Sequence, residues 1–248
     1  MDSKSCTIGV LGGMGTYATI HLFRQYAAVF PAEKEWERPR IIIDNRCTMP
    51  SRVRAALYGE NRQQLIEEMS DSVRNLEKSG CNRILLACNT AHLFLPDIMK
   101  LVPEAEGKIV NIIEVCADGL RENDETEVFL LASEGTIDSG IYQEACSARG
   151  IRCEAPEKEE YTCLRDCIEA VKRDQYSDAV RAAFAKLMHR GSACVLGCTE
   201  LPILYEKYRD LCSDIRVYDP IYMALSRIRK EFTAGVMSDD KGPDVWCI

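Results

Sequence analysis

Short apolar runs alternate along the chain with longer stretches whose apolar residues recur at helical spacing. The runs are rich in Ile, Val and Leu and predict eight buried strands, at residues 7–11, 40–44, 83–87, 108–112, 127–132, 151–154, 193–197 and 216–218. Between the strands, residues such as Leu65, Met69, Val73 and Leu76 share one helical face. This alternation predicts an α/β fold in which mostly parallel sheets are flanked by helices, although eight strands could instead close into a barrel.

Two segments repeat one pattern 110 residues apart. Each is a short apolar strand that ends in a cysteine, followed by a threonine and a helix start; the first contains Cys88 and Thr90, the second Cys198 and Thr199. A repeat of this length is a domain-sized unit. We therefore expect two similar domains related by a pseudo-twofold axis, with the active site between them. The first would comprise residues 1–100 plus 206–248, ending in a loose polar tail at 238–248, and the second residues 101–205.

Cys88 and Cys198 each follow the carboxyl end of a predicted strand, where ligands bind in parallel sheets. The positive end of the following helix is expected to lower the thiol pKa and to favour the thiolate. If the two domains face each other, a small ligand between the sulfurs meets a base on one side and an acid on the other. Such a pair can racemise or epimerise a stereocentre, whereas two packing thiols would do no chemistry.

Two other loops could bind an anion. The glycine loop that contains Gly13 and Gly15 follows the first strand, and its backbone N–H groups could approach a carboxylate or phosphate. With Asp44 at the end of the second strand, the same loop also weakly resembles a dinucleotide fingerprint, so a nicotinamide-dependent oxidoreductase is an alternative. Arg52 could bind a carboxylate with its guanidinium or could lie on the surface.

Charge and cysteine content exclude several classes of protein. The 31 basic and 39 acidic residues give a net charge of −8, so no overall positive field attracts nucleic acid or an anionic membrane. Residues 5–23 are uncharged but contain too many glycines and polar groups for a membrane span. The 13 cysteines, with no recognisable secretory signal, indicate reduced thiols and a cytoplasmic location.

A zinc site and a redox site are alternatives for the cysteines. Cys88, His92, Cys194 and Cys198 are possible zinc ligands. However, residues four apart on a strand are separated by about 13 Å, so Cys194 and Cys198 could not share one ion, and no metal is expected. A reversible disulfide between Cys88 and Cys198 would instead indicate a thiol redox or ligand-binding protein.

Four motifs together resemble the cofactor-independent aspartate/glutamate racemase family, in order over residues 7–220. They are Gly12-Gly13-Met14-Gly15, Ala87-Cys88-Asn89-Thr90-Ala91-His92, Gly135-Thr136 with Ser139 and Tyr142, and Gly197-Cys198-Thr199-Glu200-Leu201. The resemblance implies two α/β domains that enclose one amino acid. It also implies that Cys88 and Cys198 act as paired base and acid without pyridoxal phosphate or a metal. A homodimer is a further expectation.

The resemblance also implies a set of substrate-binding residues. The α-carboxylate and ammonium groups would contact Asn89, Thr90, Thr136 and Thr199. Met14 and Gly15 would bound the cleft, and Asn45 and Arg52 would help to select the side chain. Glu200, also assigned to substrate binding, stands where the glutamate-racemase branch has histidine, so the aspartate-racemase branch is the closer match. Ser51 stands where that branch has aspartate, which leaves aspartate, glutamate and broader specificity open.

Overall fold

A computed structural model describes residues 6–234 of the chain, and its strands form two parallel sheets. The strands are β1 (Thr7–Gly12), β2 (Arg40–Asn45), β3 (Arg83–Leu86), β4 (Glu127–Ala132), β5 (Arg152–Glu154), β6 (Ala193–Gly197) and β7 (Arg216–Tyr218). The first sheet has the order β2-β1-β3 and the second has the order β5-β4-β6-β7. The predicted α/β class with parallel sheets is therefore confirmed, and the barrel alternative is wrong.

Helices follow most of the strands and cover the sheets. They are α1 (Thr16–Val29), α2 (Arg52–Tyr58), α3 (Arg62–Lys78), α4 (Leu95–Leu101), α5 (Ile112–Glu122), α6 (Glu134–Ser139), α7 (Ile141–Ser147), α8 (Tyr161–Arg173), α9 (Asp178–Met188), α10 (Leu201–Lys207) and α11 (Pro220–Ala234). The apolar face predicted for α3 is buried, and the chain leaves that helix through Gly80, whose φ of 87° favours glycine. The helical spacing therefore identified this element correctly.

One continuous apolar core joins the two halves. It contains Ile8 and Val10 from one face of the first sheet, residues of α1, α5 and α11, and the apolar residues of β4 and β6. A second cluster covers the opposite face of the first sheet, where Leu11 and Leu86 pack against α3 and α4. Strands buried on both faces are typical of parallel sheets. The shared core holds the two sheets in one arrangement, so the loops at their carboxyl ends keep a defined geometry.

Two sequence expectations differ from the structure. Residues 108–112 do not form a strand, because only Ile109 makes a bridge, to Ile84, and the side chain of Asn111 caps α5 by accepting from the N–H groups of Ile113 and Glu114. The sequence predicts that residues 206–248 belong to the first domain, but β7, which lies within them, pairs with β6 in the second sheet. The proposed tail at 238–248 lies outside the described residues.

Candidate active site

The turn after β6 brings a thiol and a carboxylate together. The Cys198 Sγ donates to Oε2 of Glu200 over 3.0 Å. The single hydroxyl proton of Thr199 is shared between the backbone carbonyl of Ala87, at 3.3 Å, and the same Glu200 oxygen, at 3.4 Å. Ala87 immediately precedes Cys88 at the end of β3. The two turns predicted from the repeat therefore meet, and Thr199 connects them directly.

The surroundings of Cys198 favour its thiol form over the thiolate. Burial raises its pKa well above the usual range, and the charge of Glu200, the hydrogen bond to that carboxylate and the charge of Cys88 act in the same direction, against Lys172. The expectation that a helix N-terminus lowers this pKa is therefore wrong for Cys198, because α10 begins beside a buried carboxylate. Both cysteines are intermediate in exposure, and the charge of Cys88 contributes to the raised pKa of Cys198, so the two thiols lie within electrostatic range of each other.

Asn89 is oriented by a residue from the other half of the molecule. The Tyr142 hydroxyl on α7 donates to Asn89 Oδ1 over 2.5 Å, and both side chains are buried. The amide nitrogen of Asn89 has no hydrogen-bond partner among the described residues. Because Oδ1 is already held by Tyr142, the NH₂ group is the unpaired end of this side chain within the described residues.

Three hydroxyl groups contact one another between the two sheets. Thr90 Oγ1 lies 2.9 Å from Ser133 Oγ and 2.9 Å from Thr136 Oγ1, and the last two are 3.2 Å apart. Thr90 follows Cys88, whereas Ser133 and Thr136 follow β4. Three hydroxyls can satisfy one another while one of them redirects its proton, so this cluster both joins the halves and offers a donor to the site.

The glycine loop after β1 packs closely against its neighbours. Gly13 has a φ of +78°, and a Cβ there would lie 2.3 Å from the backbone carbon of Arg46. A Cβ on Gly15 would lie 2.2 Å from Oε1 of Glu200. Glycine is therefore required here to fit protein atoms of this site, and the same requirement accounts for the spacing that resembles a dinucleotide fingerprint.

Arg52 and Asn45 lie beside this loop. The guanidinium of Arg52 donates to the backbone carbonyls of Met14 over 3.0 Å and Pro50 over 2.9 Å, and its Nε is buried with no hydrogen-bond partner within the described part of the chain. Asn45 ends β2 opposite Gly12 and is exposed. Arg52 thus fixes the glycine loop through its two outer nitrogens, and its Nε remains as an unpaired donor. Asn45 lies on the exposed side of the same loop.

A cavity of about 430 Å³ lies between α2, the turn after β4 and α8. Its apolar lining includes Leu57, Leu164 and Ile168, and Lys172 also lines it. Burial alone would lower the pKa of Lys172, but Glu200, Glu169 and Cys198 raise it overall. Lys172 therefore connects the cavity electrostatically to the cysteine turn, although neither Cys88 nor Cys198 lines the cavity itself.

The sequence motifs missed Lys172. It follows Leu164 and Ile168 at intervals of four residues, so the available signal was a charged residue in register with the buried face of α8, although its own side chain is 39% exposed.

His92 anchors the turn that carries Cys88. One ring nitrogen of His92 lies 3.0 Å from the carbonyl oxygen of Cys88, and the other accepts from the N–H of Ile112 over 3.4 Å. Burial lowers the pKa of His92 to about 4. The histidine is therefore neutral near pH 7 and holds the Cys88 backbone in place.

Cys194 takes no part in this site. It is buried within β6, and its thiol donates to the carbonyl of Met188 at the end of α9 over 3.2 Å. Within residues 6–234, no group of three or more His, Cys, Asp or Glu side chains is arranged to hold a metal ion. In the same part of the chain, every helix is too short or too polar to cross a membrane.

The chain is similar to known racemases over nearly its whole length. Residues 11–228 match the Asp/Glu/hydantoin racemase family. The broad specificity amino-acid racemase RacX of Bacillus subtilis is 24% identical over 78% of this chain and 85% of its own. The glutamate racemase of Lactobacillus helveticus is 28% identical over 76% of this chain and 68% of its own.

Its fold is also that of a solved racemase. The structure of Picrophilus torridus aspartate racemase superimposes with a TM-score of 0.76 at 25% identity, covering 94% of this chain and all of the other. The resemblance seen in the sequence motifs is confirmed, and the chain belongs to the Asp/Glu/hydantoin racemase family of isomerases.

Proposed function

We propose that this protein interconverts the L and D enantiomers of an acidic amino acid by two-base proton transfer between Cys88 and Cys198. The observation that carries the proposal is the meeting of the two matched cysteine turns, joined by the hydrogen bond from Thr199 to Ala87. One turn comes from each sheet, so the two thiols can exchange protons with opposite faces of the α-carbon of one bound amino acid. The raised pKa of Cys198 favours this thiol as the proton donor when the free enzyme first meets substrate, with Cys88 as the base, and the roles are exchanged for the opposite enantiomer.

Buried polar atoms without partners match the groups of an amino acid. Asn89 Nδ2 is a donor suited to the α-carboxylate, Arg52 Nε is a donor suited to a side-chain carboxylate, and Glu200 Oε1 is an acceptor suited to the ammonium group. Leaving such atoms unpaired costs about 1–3 kcal/mol each, which a bound substrate would recover. The hydroxyl of Thr90 adds a donor, while Thr136 and Thr199 act by holding their neighbours. Met14 and Gly15 close the cleft from the glycine loop.

The proton transfer proceeds in two half-steps. The Cys88 thiolate takes the Cα proton from one face, and the electron pair of the C–H bond moves into the carboxylate as an enolate-like system. The Cys198 S–H bond then breaks, its proton goes to Cα on the opposite face, and Cys198 keeps the electron pair as a thiolate. Acid-base assistance of this kind contributes about 10²–10⁴-fold, so donors at the carboxylate must stabilise the enolate as well.

The substrate is proposed to be aspartate, glutamate or both. Similar proteins include an aspartate racemase, a glutamate racemase and a broad specificity amino-acid racemase. Lys172 supplies a positive charge that interacts with Cys198 and Glu200 and is suited to an acidic side chain, and Asn45 at the end of β2 and Arg52 at the start of α2 are proposed to help select that side chain. Lys172 also lines the cavity of about 430 Å³, and we propose that this space admits side chains longer than that of aspartate.

All twelve cysteines within the described residues are free thiols, which fits a reducing compartment, and we propose the cytoplasm. Two of these thiols carry the proposed reaction, so oxidation of Cys88 or Cys198 should abolish it. Activity is therefore expected only in the presence of a reductant.

Incubation of the purified protein with each L-amino acid in D₂O tests the function. We expect loss of the α-proton NMR signal and appearance of the D enantiomer on a chiral column. Cys88→Ala and Cys198→Ala should each abolish racemisation, and each should still exchange the α-proton of one enantiomer only. Cys163→Ala, at an exposed cysteine, is the matched control and should be fully active.

Two results would contradict the two-base mechanism. Complete racemisation by either single variant would show that one cysteine suffices. A reversible disulfide between Cys88 and Cys198, in a protein that racemises no amino acid under reducing conditions, would favour the redox alternative instead.

A further inference from the structure

Glu200 is a buried carboxylate whose two oxygens have different surroundings. The residue is only 3% exposed. Its Oε2 accepts hydrogen bonds from the Cys198 thiol and the Thr199 hydroxyl, whereas Oε1 has no partner in the described part of the molecule. Burying a carboxylate is costly, and here it is compensated by a thiol, which is a weak donor, by a hydroxyl shared with the Ala87 carbonyl, and by the charge of Lys172. This arrangement needs a reason beyond packing.

We propose that Glu200 is a positioning residue that keeps Cys198 in the thiol form, and thereby determines which cysteine is the base when the free enzyme meets its substrate. The proposal rests on the two-base racemisation proposed above. It adds an asymmetry between two turns that the sequence repeat presents as equivalent. Cys198 faces a carboxylate two residues later, whereas the corresponding position after Cys88 is Thr90.

The charges around Cys198 support this assignment. A thiolate at Cys198 would lie 3.0 Å from Glu200 Oε2, would repel the carboxylate and would lose its hydrogen bond. The other groups that affect it are Cys88 from the first sheet, which also disfavours the thiolate, and Lys172 from α8, which favours it. Burial and Glu200 outweigh Lys172, and the pKa of Cys198 is raised.

The asymmetry has a kinetic consequence. Each turnover leaves the cysteines with exchanged protons, so a proton must return through solvent before the next turnover in the same direction. After Cys198 has given up its proton, the return lowers the free energy of the enzyme, because Glu200 disfavours the Cys198 thiolate. After Cys88 has given up its proton, the return raises the free energy, because it creates that thiolate. Since racemisation has an equilibrium constant of one, kcat/KM is equal in the two directions. We therefore expect kcat and KM to be lower together for the enantiomer that requires the Cys198 thiolate.

Thiol modification without substrate tests the proposal directly. The protein is treated with iodoacetamide between pH 6 and 10, and peptide mass spectrometry follows Cys88 and Cys198 separately. Glu200→Gln keeps the size of the side chain and one acceptor oxygen. In this variant we expect Cys198 to react about tenfold faster at pH 8, which corresponds to a displacement of its rate-against-pH curve by about one pH unit to lower pH. Glu206→Gln removes the same charge from an exposed position of α10, 51% accessible, and should change neither thiol.

Glu200→Asp keeps the charge but withdraws it from the sulfur. We expect its Cys198 reactivity to be closer to wild type than that of Glu200→Gln, which a loss of packing alone would not produce. In steady-state kinetics, the ratio of the two kcat values should move toward one in Glu200→Gln. This second readout applies even if iodoacetamide does not reach Cys198.

The outcomes separate this proposal from the proposed function. An unchanged Cys198 rate together with an unchanged kcat ratio would overturn it, and so would a parallel increase at Cys88 with a lower melting temperature. If Cys198 responds as expected but no amino acid is racemised, the control of the thiol by Glu200 stands and the proposed function fails. If racemisation needs both cysteines but Cys198 does not respond, only the role of Glu200 is wrong.

Discussion

Protonation of His92 should destabilise the protein on acidification. His92 lies in the one-turn helix Thr90–Phe94, is 2% exposed, and is hydrogen-bonded to the Cys88 carbonyl and the Ile112 N–H. Accepting from Ile112 requires an unprotonated nitrogen, so the folded state holds the neutral imidazole. Burial lowers the pKa from 6.5 to about 4, against the opposing effect of nearby backbone carbonyls.

The sign and size of the effect follow from this shift. Between pH 6.5 and pH 4 the unfolded chain binds a proton at His92 that the folded chain does not. Stability therefore falls as pH falls through this range, with a slope of up to about 1.4 kcal/mol per pH unit. The full shift corresponds to about 3 kcal/mol, a large fraction of the 5–15 kcal/mol typical of a folded domain.

Urea unfolding of wild type and His92→Gln at several pH values between 7.5 and 4.5 measures this contribution. The variant should be less stable at pH 7.5 because it loses the packing and hydrogen bonds of the buried imidazole. Because glutamine does not bind the proton, the difference from wild type should shrink by about 2–3 kcal/mol by pH 4.5. His189→Gln, at a histidine that is 49% exposed, is the matched control. A stability difference that stays constant across the range would refute the reasoning.

Three further substitutions test individual contacts. Tyr142→Phe leaves the buried Asn89 Oδ1 without its donor and should cost about 1–3 kcal/mol in urea unfolding, with kcat/KM reduced about tenfold. Gly13→Ala places a methyl group against the Arg46 backbone and should lower unfolding free energy by at least about 2 kcal/mol; a wild-type melting curve would contradict this. Arg52→Lys loses the planar fork that holds the glycine loop, so KM should rise about tenfold for both enantiomers, and an unchanged KM would exclude that role.

Local sequence patterns determined most of the elements and the location of the chemistry. The unalternating apolar runs identified seven of the strands, because a strand buried on both faces needs apolar residues throughout. The repeat around Cys88 and Cys198 located both turns, since a strand end followed by a helix start has a recognisable pattern. The apolar-run pattern failed at residues 108–112, where the capping side chain of Asn111 starts a helix instead of a strand.

Only the tertiary structure decided what the side chains at these turns do. Local spacing predicted two equivalent activated thiols, yet burial and Glu200 keep Cys198 protonated. Lys172 and Tyr142 reach the site from helices distant in sequence. Two of the nitrogens of Arg52 donate hydrogen bonds to backbone carbonyls. Secondary structure depends on neighbours along the chain, whereas desolvation and charge interactions depend on neighbours in space. The protonation state of Cys198 and the donors left to bind a ligand are therefore determined by the packing of the two sheets against each other.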